Sequence, residues 1–304
     1  QQPTYTWNAV PGSTRYYLSL NDSTGVKIQQ WYTAEEAGCP NGTGTCCVTP
    51  STQVTEGPGQ WWIQTYNPAG NGPSSAGMHF NNIYLAPLDP HTKSLLHFNG
   101  TEGGTTFTDE VGRIWTRAGN AVTKTDWKKL GTASGYFSGG NDRIYTPDHA
   151  DFAFGTNNFT IDLWIKTTQS TLGFIIYQGD DSGIAGSVAF WIQMNGGKVN
   201  FCPDYRNYPS HHVIWSLANV NDGNPHHVAA GRNGNTFTLY VDGVSQNSVT
   251  LAGFSMTDSS NNLSVGKMGA VYNAYIGYVD ELRISKGIAR WTSNFTPPTD
   301  EYAP

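Results

Sequence analysis

Hydrophobic and polar residues alternate along the chain in short runs. In TYTWNA, residues 4–9, every second side chain is polar and those between are aromatic or small and apolar, which is the period of a β-strand. Turn-forming sequences such as NDSTG, NPAGNG, RNGN and VDG separate these runs. The segment nearest to a helical pattern, TDEVGRIWTRA, contains glycine and β-branched residues that disfavour a helix. The pattern therefore predicts an all-β protein of the sandwich or jelly-roll type.

The pattern changes around NNIYLAPLDPHTK, residues 81–93. Two prolines occur there, the tryptophan-rich first part ends, and SLLHF starts a new apolar strand. Domain boundaries fall in segments of this kind. We therefore predict a small domain at residues 1–86 and a larger one at residues 87–304.

Composition narrows the class of protein. Charged residues make up 13% of the 304 residues, against the usual quarter, and glycine, tryptophan and tyrosine are abundant, as in extracellular β-proteins. A net charge of −6 without a basic run disfavours a nucleic-acid partner. No apolar stretch reaches the length of a membrane span. Gln1 as the first residue suggests that a signal peptide has been removed.

Asparagine and cysteine add to the extracellular prediction. Six Asn-x-Ser/Thr sequences predict N-glycosylation in a host that modifies asparagine. They are Asn21, Asn41, Asn99, Asn158, Asn262 and Asn294. The sequence CPNGTGTCC would close a tight loop if Cys39 paired with Cys46 or Cys47. A single cluster lacks the second ligand pair of a zinc site, so a disulfide is favoured, and the remaining cysteine either pairs with Cys202 or stays a thiol.

The first domain resembles the fibronectin type III superfamily. The resemblance rests on PTYTWNAVPGSTRYYLSLNDSTG, WYTAEEAGC and WWIQTYNPAGNGPSS, within residues 3–80, and it places Trp7 on the family's second strand. It implies a β-sandwich with a Cys39–Cys46 disulfide, because similar sequences carry a pair at these places. The family's first strand has no counterpart in this chain.

The second domain resembles the laminin-G-like, concanavalin A-type jelly roll. Four segments match in order over residues 93–298: SLLHFNGTEGGTTFTDEVG, GYFSGGNDRIYTPDHADFAFGTNNFTIDLWIKT, PHHVAAGRNGNTFTLYVDGV and GYVDELRISKGIARWTSNFTPP. The resemblance implies the fold and leaves the function open, because this fold is used by lectins, lyases, glycosidases, adhesins and spacers.

The acidic residues argue against a glycosidase. A retaining glycosidase needs two carboxylates about 5–5.5 Å apart, and no strand carries Glu-x-Glu or a similar spacing. Asp109 and Glu110 are adjacent, as are Asp280 and Glu281, so each pair is expected to face opposite sides of a strand. We therefore predict no catalytic residues. A lyase site could lie only in residues 203–212.

The jelly-roll resemblance implies one structural calcium ion, held by loop carbonyls and carboxylates. Its candidate ligands are Asp109, Asp142 and Asp280. The alternative is that Asp280 caps a turn or pairs with Arg283. The PHHVA sequence is a structural strand in the resembling family, so His227 is interpreted as a core histidine.

Glycan binding would need exposed aromatic and planar polar side chains. The candidate contacts near one loop are Tyr205, Arg206, Tyr208, His211 and Trp215. Trp61 and Trp62 are adjacent, so one of them must face outward, as a ligand platform or as part of an interface.

These patterns favour a secreted, non-catalytic glycoprotein at the cell surface that acts by association. It would be a structural subunit of an appendage or filament, or an adhesin segment, and its partners would be copies of itself or extracellular glycans. A carbohydrate-binding lectin is the alternative, and a polysaccharide lyase is the second alternative.

The missing first strand suggests how association would occur. A sandwich that begins at its second strand has a vacant sheet edge that a neighbour can fill. The tail TSNFTPPTDEYAP, with Phe295 and Tyr302, is the predicted donor to a neighbouring copy, and repeated contacts of this kind build a fibre. Alternatively, the strand has been removed, or none is missing.

Overall fold

The structure is a computed structural model that describes residues 3–55, 57–82, 89–180, 188–205, 212–269 and 273–303. The described residues contain strands and turns but no helix, which confirms the all-β prediction. The chain divides into two compact units, Gln1–Ala86 and Pro87–Pro304. Each unit is described separately below.

The first unit consists of two antiparallel sheets. Its strands are β1 (Tyr5–Asn8), β2 (Arg15–Asp22), β3 (Gly25–Thr33), β4 (Thr45–Val48), β5 (Gly57–Asn67), β6 (Gly70–Ser74) and β7 (Met78–Asn82). β1 pairs with β4, while β3, β2, β5 and β6 form a sheet in that order, with β7 also paired to β5. Alternate apolar residues of both sheets meet in one core, where Tyr16, Leu18 and Leu20 of β2 are fully buried.

A disulfide joins Cys39 to Cys46, with 5.1 Å between the Cα atoms, and confirms the predicted pair. It closes the loop between β3 and β4, and both cysteines belong to the core. In the chain-entropy description, a loop of this size gives a stabilisation of roughly 2–3 kcal/mol. Cys47 is exposed on β4, whereas Cys202 is a buried thiol of the second unit.

The second unit is the jelly roll. Its strands are β8 (Thr92–Leu96), β9 (Thr116–Ala118), β10 (Val122–Lys124), β11 (Ser134–Ser138), β12 (Arg143–Thr146), β13 (Phe159–Lys166), β14 (Gly173–Gln178), β15 (Phe190–Asn195), β16 (Lys198–Asp204), β17 (His212–Trp215), β18 (Pro225–Asn233), β19 (Thr236–Val241), β20 (Val244–Thr250), β21 (Leu263–Val265) and β22 (Ile276–Lys286). β13, β14 and β15 read as long apolar runs because both of their faces are largely buried.

Two large sheets enclose the core of this unit. The eight-stranded sheet has the order β10-β11-β22-β13-β18-β19-β20, with β8 also paired to β22. The seven-stranded sheet has the order β17-β16-β15-β14-β21-β12-β9. Inward side chains from both sheets form one apolar cluster, including Phe159, Leu163, Ile192 and Phe201. Each sheet therefore has one core-facing side and one outer face.

The C-terminal tail, residues 287–303, lies against the jelly roll of its own chain. Phe295 stacks on Trp291 with 3.9 Å between ring centroids. Tyr302 is 5% exposed, and the Arg283 guanidinium lies 3.9 Å from its ring. Both rings thus pack on the sheet of their own chain, and their donation to a neighbouring copy stays a prediction.

Candidate functional site

The outer face of the seven-stranded sheet carries a second apolar group, here called the outer cluster. Along each strand, residues alternate between the core and this face, so Ile144 of β12 is inward while Arg143 and Tyr145 are outward. The outer cluster contains Phe174, Tyr177, Val188, Trp191, Cys202 and Met268, with Tyr205 and Val213 packed against it. Aromatic side chains are thus concentrated on the side of this sheet that faces away from the core.

Strand pairing places outward residues in rows across this sheet. One row runs through Tyr145, Ser264, Tyr177, Trp191 and Cys202, each on the strand beside the previous one. Side chains opposed in this way have Cβ atoms about 4.5–5.5 Å apart. The row therefore brings the rings of Tyr145, Tyr177 and Trp191 together with the small side chains of Ser264 and Cys202 at the spacing of the strands.

A neighbouring row contains Gln193, Asn200 and Trp215. The indole Nε1 of Trp191 donates a hydrogen bond to Asn200 Oδ1 at 3.0 Å. Asn200 Nδ2 is buried without a hydrogen-bond partner in the structure. Leaving such a donor unsatisfied costs about 1–3 kcal/mol, so a water molecule or a ligand oxygen at this position would be stabilising.

Trp215 lines a cleft where the edges of the two sheets approach each other. The cleft has a volume of about 390 Å³ and is lined by His212, Val213, Ile214, Trp215, Asn247, Ser248 and Val249. Trp215 is 39% exposed, and its carbonyl accepts a hydrogen bond from Asn247 Nδ2 at 2.8 Å. We call this site the Trp215 cleft. It combines an accessible indole with amide and hydroxyl groups and the His212 side chain.

Two further clefts adjoin at the other end of the same sheet. Their volumes are about 250 and 310 Å³, and they share Arg143 and Gly269. Their other lining residues are Ala118, Gly119, Asn141, Gly179, Asn261, Asn262, Ser264 and Lys267. The guanidinium of Arg143 lies 5.1 Å from the ring of Tyr145. Apart from the predicted glycosylation position Asn262, these residues were not predicted as a site from the sequence, although the polar run GGNDRIY contains Asn141 and Arg143.

The predicted glycan contacts are only partly described. Tyr205 packs edge-on against Trp191 with ring centroids 4.9 Å apart, and Trp215 lies on β17 in the same region of the sheet. Arg206, Tyr208 and His211 lie outside the described residues, as do parts of the proposed lyase segment 203–212. The structure therefore places the two described candidates, Tyr205 and Trp215, on the outer face of one sheet.

Asp280 and Glu281 lie on the same side of β22, contrary to the prediction. Glu281 has a φ of 50°, and the pairing of β13 with β22 shifts register beside it. This bulge adds one residue, so Val279 and Leu282 both face the core while the two acidic residues do not. Strict alternation fails at this point because the bulge interrupts it.

The outer face of the eight-stranded sheet contains a buried charged network. Arg283 donates from Nε and Nη2 to the two oxygens of Asp162 at 3.2 and 3.1 Å. Burial by itself raises the pKa of the Asp162 carboxyl, but Arg283 and His227 hold this pKa below its ordinary value. His227 is fully buried, and its Nε2 lies 3.0 Å from the Tyr302 hydroxyl. Buried charges need such partners. The tail supplies one of them, the Tyr302 hydroxyl, so this face is suited to holding the tail.

A second contact with the tail involves His97, Glu281 and Glu301. Their potential ligand atoms lie within 4.8 Å of one another, which distinguishes this trio among the described residues. His97 Nδ1 lies 2.7 Å from Glu281 Oε1, and the other Glu281 oxygen accepts the Tyr302 N–H at 2.9 Å. Burial lowers the pKa of His97, but the hydrogen bond and charge of Glu281 raise it overall. The trio thereby links β8, β22 and the tail.

Comparison with protein families agrees with this two-sheet architecture. Residues 138–290, half of the chain, match the family described as the Concanavalin A-like lectin/glucanases superfamily. The chain belongs to this superfamily. The resemblance of the second domain to a concanavalin A-type jelly roll is thereby confirmed, and the resemblance of the first unit to fibronectin type III stays a prediction.

Solved structures show the same fold. The binding domain of Paraclostridial Mosquitocidal Protein 1 is similar with a TM-score of 0.52 and 12% identity, over 66% of this chain and 50% of the toxin domain. Domain 4 of a GH43 arabinanase from Geobacillus stearothermophilus, solved with arabinotriose, has a TM-score of 0.48 and 18% identity over 65% of this chain and 94% of its own. The chain thus spans about half the length of the toxin domain. No curated protein matches it in sequence.

The calcium ligands expected from the resemblance are bonded to protein donors. Asp109 accepts hydrogen bonds from the Ser94 hydroxyl and the Trp115 indole on one oxygen and from backbone N–H groups on the other. Asp142 accepts from Asn120 N–H on one oxygen and from the N–H and hydroxyl of Ser138 on the other. These donors occupy the positions where a calcium ion would need free oxygens.

Asp280 is equally engaged. One oxygen accepts the N–H groups of Lys129 and Leu130, and the other accepts the N–H of Glu281. Burial raises the pKa of Asp280 to about 7. Within the described part of the chain, the three predicted aspartates do not come together as a metal-binding group. Their arrangement does not fit one shared ion.

The predicted glycosylation positions differ in exposure. Asn41, Asn99, Asn262 and Asn294 are exposed, whereas Asn21 and Asn158 are partly buried. Asn99 Nδ2, the atom that would carry a glycan, donates to Glu301 at 2.6 Å.

The described residues include no helix suited to crossing a membrane.

Proposed function

We propose that this protein is an extracellular, non-catalytic carbohydrate-binding module, and that its glycan site is the Trp215 cleft. The observation that carries the proposal is the exposed Trp215 indole beside Asn247, Ser248 and His212 in a cleft of about 390 Å³. Sugar rings present apolar C–H faces to an aromatic ring, while their hydroxyls bond to amide and hydroxyl groups. Binding sites commonly combine apolar surface with a few polar groups in this way.

The composition of the outer face supports binding rather than hydrolysis. Among the outward side chains described in the strands of the seven-stranded sheet, none is a carboxylate. Glycoside hydrolysis uses a pair of Asp or Glu side chains. The carboxylates with shifted pKa values in the jelly roll include Asp162 and Asp280, which are hydrogen-bonded on the other sheet. The disulfide supports an oxidising, extracellular environment.

The test compares Trp215→Ala with Trp127→Ala, which removes an indole from the opposite sheet, where it packs on Tyr278. Binding to a glycan array and to the best ligand by calorimetry is measured with both variants. We expect Trp215→Ala to weaken binding about tenfold, or about 1.4 kcal/mol, and Trp127→Ala to leave it unchanged. Absence of glycan binding in the parent protein, or equal losses in both variants, would contradict the proposal.

A second candidate function is a structural subunit of a surface appendage or filament, assembled through the first unit. In that case the first unit would be a fibronectin-like sandwich whose open edge at β1 accepts a strand. The supporting observation is that Tyr5 Oη, Trp7 Nε1 and Tyr32 Oη are buried without hydrogen-bond partners in this part of the structure. Buried polar groups are normally satisfied, so an added strand or water would stabilise this edge.

Lysine at an edge strand opposes pairing with another chain. Thr6→Lys, at an exposed position of β1, should therefore disperse assemblies seen by sedimentation and negative-stain microscopy. Val26→Lys, at an exposed position of β3, is the matched control and should leave assembly intact. A parent protein that remains monomeric at high concentration would rule out this second function.

A further inference from the structure

The outer face of the five-stranded sheet in the first unit carries aromatic and neutral polar side chains in register. Because Tyr16, Leu18 and Leu20 of β2 point into the core, Tyr17 and Ser19 point outward. The facing residues on the neighbouring strands form two rows. The first row is Trp31, Tyr17, Gln64 and Ser74, and the second is Gln29, Ser19 and Trp62.

The aromatic rings of this face support one another. Tyr17 lies 5.0 Å from Trp31, and Trp31 lies 6.0 Å from Tyr66, measured between ring centroids. Trp31 is 37% exposed. Trp31 lies on strand β3 and packs on these two rings, so its side chain is already ordered before a ligand binds. Binding a ligand therefore costs little side-chain entropy.

A cleft of about 310 Å³ opens beside these rings. It is lined by Tyr17, Ser19, Trp62, Gln64 and Ser74. Gln64 Nε2 donates to the carbonyl of Gly72 at 2.9 Å, which holds the amide in place. Trp61, the other member of the tryptophan pair, packs on Tyr5 on the core side, so Trp62 is the indole that faces outward.

The charge on this face points to the class of ligand. In the rows described, the polar groups are amides and hydroxyls. Two cations lie at the ends of the face and outside the cleft: Arg15, paired with Tyr66, and Lys27, 3.8 Å from Asp22. Asp22, a nearby acid, is buried and bonded to Thr24 and Thr55. A face without charge in its cleft offers nothing to the phosphates of a nucleic acid or to a strongly anionic chain. It is complementary to an uncharged polar ligand.

We propose that this face, here called the Trp62 platform, is a second carbohydrate-binding surface and that its ligand is a neutral glycan chain. Trp31 and Trp62 stand two strands apart, or about 10 Å across the sheet, which suits two pyranose rings of one chain with one ring between them. The amides and hydroxyls between them bond to sugar hydroxyls. The proposal goes beyond the function assigned to the jelly roll, because it concerns the other unit and different residues.

Two such surfaces on one chain would act together on a polysaccharide. Once one surface is bound, the other meets the same polymer at a high effective concentration. The Trp62 platform therefore predicts tighter binding to long chains than to short oligosaccharides. A protein with only the Trp215 cleft would show no such dependence on chain length beyond the length of the cleft.

The experiment uses the full chain and four variants: Trp62→Ala, Trp62→Phe, Trp215→Ala and the double variant Trp62→Ala/Trp215→Ala. The probes are a soluble β-glucan, a galactomannan and an arabinan, with polygalacturonate as the anionic comparison, measured by affinity electrophoresis and calorimetry. We expect Trp62→Ala to weaken binding to one neutral polymer about tenfold, Trp62→Phe to retain most of it, and the double variant to lose it. Near-ultraviolet circular dichroism and melting curves establish that each variant is folded.

The outcomes separate the two sites. If Trp62→Ala is folded and binds every neutral polymer as the parent does, the platform is wrong, whatever Trp215→Ala shows. If only Trp215→Ala weakens polymer binding, the proposed jelly-roll site is supported and the proposed Trp62 platform is refuted. If only Trp62→Ala weakens polymer binding, the platform is supported and the jelly-roll site is refuted. A loss of self-association in Trp62→Ala without any polymer binding by the parent would show a protein interface and overturn the proposal.

Discussion

The two outer faces of the jelly roll differ in what covers them. On the eight-stranded sheet, Asp162, Arg283 and His227 are buried, and the chain's own tail closes over them. On the seven-stranded sheet, the outward residues of the central strands are aromatic or neutral, Arg143 faces outward on β12, and clefts open at both ends of the sheet. Charged groups without solvent need fixed partners, whereas neutral polar groups can exchange water for a ligand. The covered face therefore serves stability. The other face, here called the open face, has a buried outer cluster at its centre and accessible clefts at its ends, and these clefts are suited to binding.

The largest loss of stability is expected when the charged network of the covered face is broken. Arg283→Ala leaves Asp162 buried without its cation, which should destabilise the jelly roll by about 3–5 kcal/mol and lower its melting temperature by roughly 10 °C. The matched control is Arg143→Ala on the open face, where Arg143 lines two clefts. We expect the control to change stability by less than about 0.5 kcal/mol. Similar losses in the two variants, measured by urea denaturation, would remove the distinction between the faces.

The second effect concerns the tail. Tyr302→Ala removes a buried ring and its contact with His227, so it should cost about 2–3 kcal/mol. Tyr145→Ala, a half-buried tyrosine on the open face, should cost less. Chemical denaturation and sedimentation are measured on both variants. If Tyr302→Ala leaves stability unchanged but dissociates an oligomer, the tail packs on a neighbouring copy in solution.

The third effect is a dependence on pH that belongs to the covered face. Burial raises the pKa of Asp280 to about 7, above the ordinary value of 3.8. Folding therefore favours its protonated form, and this stabilisation is complete at low pH and is lost as the pH rises through about 7. The raised pKa of His97 acts in the same direction. The jelly roll should thus melt at a lower temperature at pH 8 than at pH 5.5.

Asp280→Asn should flatten this pH dependence, because the variant cannot lose a proton at that position. Asp258→Asn, an exposed residue, is the control and should keep the parent's slope. Differential scanning calorimetry at half-unit pH steps measures both. A parent protein whose melting temperature rises between pH 5.5 and 8 would show that the covered face is not stabilised by protonation.

The smallest expected effect is that of a chelator. The oxygens of Asp109, Asp142 and Asp280 accept N–H or O–H groups, so removal of divalent ions should leave the melting temperature of the jelly roll unchanged. Melting curves with EDTA, and with EDTA followed by excess calcium chloride, provide the measurement. A fall that calcium restores would establish the ion implied by the sequence resemblance.

The sequence predicts regular strands well and departures from regularity poorly. The period of two correctly indicates that Trp61 and Trp62 face opposite sides of β5. The same rule fails at Asp280 and Glu281, because a bulge depends on the register of the neighbouring strand, which the sequence of β22 does not contain. Local alternation is a property of one strand, whereas a bulge is a property of a pair.

The tail and the aspartates show a second limit. The sequence identifies Phe295 and Tyr302 as rings that fill a groove, but it does not show whether the groove belongs to the same chain. The sequence resemblance also names Asp142 as a candidate calcium ligand, but the sequence does not show that the backbone N–H of Asn120, in a distant loop, bonds to it. The clefts around Arg143 were missed because they are assembled from separate strands and loops.

The pairing of β22 has a consequence for the order in which the chain can fold during synthesis. β22 joins β8, β11 and β13 into one sheet, and the His91 side chain bonds to the Lys286 carbonyl across 195 residues of sequence. Most of the jelly roll is therefore synthesised before β22, the strand that joins β8, β11 and β13 in one sheet. Contacts this distant make folding slow and leave strand edges open in the nascent chain. The strands that pair with β22 therefore keep an unpaired edge until the last part of the jelly roll has been synthesised.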